Sequence, residues 1–91
     1  MAPRQSEAIK LIESLSGAEL NQLAVGHRDM VYHDGRFELV EPSERNTHVL
    51  FSGGEEWLDD RVPNEDRHGD ALRRYVIGYI EEVFDYITAR W

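Results

Sequence analysis

From Asp70 to Trp91 the chain reads DALRRYVIGYIEEVFDYITARW, and this stretch constrains the fold more than any other. At about 100° per residue, Leu72, Val76, Tyr79, Ile80, Val83 and Ile87 fall on one helical stripe. Ile77, Phe84 and Trp91 widen one flank. Tyr75 and Tyr86 widen the other, giving an apolar and aromatic arc about 200° across. Arg74, Glu81, Glu82 and Asp85 fill the remainder. A helix lying on one side of a small sheet needs roughly half that arc. Either the helix is clasped between several elements, or part of the arc meets another molecule. Tyr75, Tyr79 and Tyr86 line one edge beside Glu82, and tyrosine suits interfaces because its ring buries area while its hydroxyl stays bonded. Gly78 costs roughly 1 kcal/mol against alanine in a helix interior. It therefore predicts close backbone approach, by the chain's own sheet or by a second subunit. Asp70 is the expected N-cap and Arg90 the cation of the last turn.

The N-terminal part also has helical period. Ala8, Leu11, Ile12 and Leu15 share a face between Pro3 and Leu15, with Ile9 beside them and Ser6 as the expected cap. Ser16-Gly17-Ala18-Glu19 fits a capping box that starts a second, short helix, with Leu20, Leu23 and Ala24 inward and Gly26 at its end. The period then changes. MVYHDGRFELV places two β-favouring runs around Asp34-Gly35, a pair suited to a type I′ turn. Tyr32 and Phe37 flank that turn, and Leu39 shares the face of Phe37. THVLFS reads as a third strand with Val49 and Phe51 on one face, closed by Gly53-Gly54. The expected class is α+β: two short N-terminal helices, a three-stranded antiparallel meander at about 29–52 and a long C-terminal helix at about 70–90, in a single domain covering 1–91.

Between sheet and helix lies GGEEWLDDRVPNEDRHGD, which packs Glu55, Glu56, Asp59, Asp60, Glu65, Asp66 and Asp70 against only Arg61 and Arg67. Trp57 and Leu58 are its large apolar residues, expected to pin a short turn or 3₁₀ segment to the core. Pro63 blocks a continuous helix. The whole chain carries a net charge of −8, and Lys10 is its single lysine. Nucleic acid and anionic membranes repel such a chain, and basic surfaces attract it. A solvated, solubilising surface or adaptation to a salty cytosol accounts for the same composition. No apolar run approaches the roughly 20 residues of a membrane span, and MAPRQSEAIKLIESL has no continuous apolar stretch of the kind a signal peptide needs. The absence of cysteine excludes disulfides and thiolate chemistry and fits the cytoplasm.

No catalytic constellation emerges. His27, Asp29, His33 and Asp34 cluster, as do Glu65, Asp66, His68 and Asp70, yet neither has the spacing of a zinc or calcium site. The serines lie in no nucleophile elbow, and the glycines form no phosphate loop. The arginines are dispersed, which disfavours direct DNA or RNA binding. The chain therefore reads as non-enzymatic, without metal or cofactor. Small acidic inhibitors of nucleic-acid enzymes, of the phage anti-defence and immunity kinds, are similar in type: short, cysteine-free, net negative and lacking a catalytic motif. The expected partner is a basic, nucleic-acid-handling protein. Its expected contacts are Glu55, Glu56, Asp59, Asp60, Glu65, Asp66, Tyr75, Tyr79, Glu82, Asp85 and Tyr86. The alternative expectation is a structural domain that homodimerises through its C-terminal helix.

Overall fold

A computed structural model describes residues 2–91. The elements run α1 (Gln5–Ser14), α2 (Gly17–Ala24), β1 (Asp29–His33), β2 (Arg36–Val40), β3 (Val49–Phe51), α3 (Glu55–Arg61), a 3₁₀ turn (Asn64–Asp66) and α4 (Gly69–Thr88). The class is α+β, with helices at both ends of a three-stranded antiparallel sheet.

The hairpin forms as its turn chemistry dictates. Asp34 and Gly35 both have positive φ, and Tyr32 pairs with Phe37 across the turn with ring centroids 4.9 Å apart. The strand order is β2-β1-β3, so β1 is central, where a meander would centre β2. The 41–48 connection explains the difference. Asn46 donates its amide to the Asp29 carboxylate (2.8 Å) and to the Glu41 carbonyl (2.9 Å), which folds this connection back beside β1. The chain therefore re-enters the sheet on the far side of β1. Asp29 is buried by the same contact, at 7% exposure. The pairing shifts register so that Met30 meets Phe51 and Val31 meets Val49, leaving Leu50 as an extra residue. This bulge turns Leu50 and Phe51 both into the core. Val49, expected beside Phe51, is only half-buried.

α4 is the clasped helix. Leu72, Val76, Ile80 and Phe84 are buried, and α1, α2 and β3 all pack against it. Arg73 reaches from α4 to α1, where its Nη1 donates to the carbonyls of Ile12 (2.6 Å) and Leu15 (2.9 Å). These carbonyls lie at the C-terminal end of α1, where intrahelical partners run out. Trp91 packs onto Tyr32 and His48 at the end of the sheet, with centroids 6.1 and 5.0 Å away.

Several local expectations are corrected. Ser6 is already helical and makes no cap bond, because Arg4 takes the extended N-cap conformation one step past Pro3. Asp70 lies inside the first turn of α4, where it pairs with Arg73 at 3.6 Å, and His68 is the N-cap. Arg90 lies beyond the last turn and instead stacks over the Tyr86 ring, 4.2 Å from its centroid. Gly78 is exposed. A methyl group on its Cα would meet nothing outside its own helix within 4 Å, so no element of the chain approaches it closely. Close approach occurs at Gly53 instead. A Cβ there would overlap the Ala24 carbonyl, and the N–H groups of Gly53 and Gly54 donate to Leu23 (3.1 Å) and Ala24 (2.9 Å).

Candidate functional site

The segment expected to be a turn is a helix. α3 has no side-chain N-cap, but Glu55 and Glu56 stand in its first turn, where the macrodipole favours carboxylates. Leu58 is buried in the core. Trp57 lies edge-on to Phe51 (4.9 Å) and Tyr79 (5.6 Å). The indole N–H of Trp57 is buried with no hydrogen-bond partner among the described residues. The last carbonyls of α3 are bound by Arg67, whose Nη2 donates to Leu58 (3.1 Å) and whose Nε donates to Val62 (3.0 Å). α3 is thus fixed along its inner face, and its outer face consists of carboxylates.

Those carboxylates differ in their surroundings. Asp59 is paired with Arg67 at 3.1 Å. Glu55, Glu56 and Asp60 are exposed and form no ion pair among the described residues. Glu65 is exposed on the 3₁₀ turn, and Asp66 accepts a hydrogen bond from the Tyr75 hydroxyl at 3.3 Å. Loss of solvent around the phenol, and then the Asp66 carboxylate, raise the Tyr75 hydroxyl above its ordinary range. Glu82 is held by Arg61 at 2.7 Å, and that hydrogen bond strengthens the guanidinium's hold on its proton. Arg61 also lies 4.9 Å from the centroid of the Tyr79 ring.

Of the expected contact residues, one group converges. Asp59, Asp60 and Tyr75 line a hollow beside Arg61 and Arg67, and Tyr75, Tyr79 and Glu82 line its neighbour with Arg61, Arg74 and Gly78. Glu55, Glu56, Asp85 and Tyr86 lie outside both hollows. Tyr86 is 64% exposed and is engaged by Arg90. Arg61 and Arg67 stand out in the sequence as the cations of the acidic stretch, but which acids they hold, Glu82 and Asp59, does not, and Arg74 is not marked as a site residue at all. Arg61 is evident there as a cation, but its Glu82 partner is 21 residues away and no local spacing marks it. Among the described residues no three His, Asp or Glu side chains are grouped so as to hold a metal ion, and no helix is long and apolar enough to cross a membrane. No protein-family model matches the chain, and comparisons with curated proteins and with solved structures give no match.

Proposed function

We propose that the chain is a non-enzymatic, cytoplasmic protein-binding module whose α3 face occupies a basic, nucleic-acid-handling surface of another protein, in the manner of an anti-defence or immunity inhibitor. One observation carries this reading: Glu55, Glu56 and Asp60 stand on an anchored helix with no ion-pair partner among the described residues. Glu56 and Asp60 are one turn apart, a Cβ separation of about 5–6 Å. A nucleic-acid strand likewise presents a dense row of negative charge, one per about 3.4 Å of axis. A groove lined with cations for such a row attracts a row of carboxylates by the same electrostatics. The anchoring lowers the ordering cost on binding, because the backbone that carries the carboxylates is already in place.

The test compares the native chain with a triple variant, Glu55→Lys, Glu56→Lys and Asp60→Lys. Each is immobilised and exposed to extract of the native host at low and then moderate salt. The native chain is expected to capture a nucleic-acid-binding protein in a salt-sensitive way and to displace nucleic acid from it. The variant, folded by circular dichroism, is expected to capture none. Equal capture by both chains would refute the reading.

A further inference from the structure

α4 leaves one strip of its surface uncovered, bordered by Arg61 of α3, which holds Glu82, and by Asp66 of the 3₁₀ turn. Its inner stripe is buried, Arg73 faces α1, and Tyr79 faces α3. Arg74, Gly78, Glu81 and Asp85 remain exposed along the outer strip, with Glu82 at its border. Two properties of this strip have no explanation within one chain. Gly78 sits mid-helix at a cost of about 1 kcal/mol against alanine, yet nothing outside its own helix lies within 4 Å of its Cβ position. The charges are also segregated along the strip: Arg74 lies before Gly78, and Glu81, Glu82 and Asp85 lie after it, Asp85 in the last turn, where a carboxylate is disfavoured. Arg74 makes no ion pair among the described residues.

A second copy resolves both. We propose that the strip is an interface between two copies of the chain, crossing antiparallel about a two-fold axis at Gly78. In that arrangement a residue four before the glycine meets residues three and four after it on the other copy. Arg74 of each copy then faces Glu81 and Glu82 of the other, and Asp85 falls opposite Ala71 rather than opposite a carboxylate. Glycine at the crossing point lets the backbones approach within the shorter end of the usual range of about 8–10 Å. The unpaired α3 carboxylates take no part, so this proposal stands apart from the proposed partner.

With −8 on each copy, long-range repulsion opposes association at low ionic strength. The measurement is therefore made at about 0.15 M salt, where the Debye length is about 8 Å. Sedimentation equilibrium from low micromolar concentration upward is expected to show a dimer for the native chain. Arg74→Glu and Glu81→Arg, both at exposed positions, are each expected to weaken it about tenfold or more, since each is felt at two symmetric contacts. An equimolar mixture of the two variants is expected to recover association, because each copy then offers the sign that the other lacks. Gly78→Leu is expected to abolish the dimer while helix content is retained by circular dichroism. A native chain that stays monomeric throughout the series, a dimer indifferent to both charge variants, or a mixture that fails to recover would each overturn the proposal.

Discussion

α2 and α3 are helices of nearly equal length, eight and seven residues, held in opposite ways. α2 carries caps from its own neighbours in sequence at both ends, with Gly53 and Gly54 adding two bonds at its C-terminal end. The Ser16 hydroxyl accepts from the Glu19 N–H (3.1 Å), and the Glu19 carboxylate accepts from the Ser16 N–H (2.8 Å). At the other end His27 and Gly26 donate to the Gln22 and Leu23 carbonyls, with Gly26 at φ +89°. α3 has neither device. It persists because Leu58 and Trp57 are packed from outside it and because Arg67 binds its last carbonyls. A helix of seven residues is far below the length at which isolated helices are stable in water. The proposed binding face therefore depends on tertiary anchoring at both ends, whereas α2 starts on a local capping box and shares its last carbonyls between Gly26, His27 and the distant Gly53 and Gly54.

Four substitutions put pressure on that contrast. The largest effect is expected from Leu58→Ala, which removes the buried anchor of α3 and lowers the unfolding free energy by about 2–4 kcal/mol in denaturant titration. Hydrogen exchange in the same variant is expected to accelerate throughout α3 before α2, and equal acceleration in both would undo the distinction. Arg67→Ala is expected to cost about 1–2 kcal/mol, because the Leu58 carbonyl in α3 and the Val62 carbonyl at its C-cap lose a charged donor and Asp59 is left unpaired. Its exchange signature is confined to α3 and the 3₁₀ turn. Ser16→Ala comes next at about 1 kcal/mol, with its signature confined to the start of α2. The capping box has a pH component as well. The Ser16 N–H and then its hydroxyl hold the Glu19 carboxyl below its ordinary range. A lowered carboxyl stabilises the fold above the ordinary carboxylate range and loses that contribution as the pH falls through its own depressed value. Glu19→Gln is expected to flatten this part of the acid limb when denaturant midpoints are followed against pH. An unchanged acid limb would mean that the box carries no net linkage.

The same contrast explains what is legible in the sequence. The Ser16–Glu19 box, the Asp34-Gly35 turn and the Leu72-Val76-Ile80 stripe are local patterns, and each forms as its spacing implies. The placement of β3 beside β1 depends on Asn46 reaching Asp29 across 17 residues, and nothing within a short window encodes that reach. α3 reads as a turn because its carboxylates and paired glycines resemble a solvated connector. The residue that closes it, Arg67, lies beyond Pro63 and outside the helix it serves. For the candidate site, the carboxylates can be named from the sequence, but not which of them are free. The charges of Asp59 and Glu82 are offset by arginines that the fold brings in, whereas Glu55, Glu56 and Asp60 keep theirs exposed. The cost of Gly78 is legible in its mid-helix position, but the glycine lies on the outside of the chain rather than against the sheet.

The contact between Arg73 and the end of α1 has a consequence in time. The two partners are separated by about sixty positions, 61 for Ile12 and 58 for Leu15. A ribosome adds about 5–20 residues per second, so α1 waits several seconds after its own synthesis before the guanidinium that completes it exists. During that interval Ala8, Ile12 and Leu15 have no α4 to cover them. Chaperone binding to the nascent chain, and its cleavage by proteases, are therefore expected to concentrate before α4 emerges.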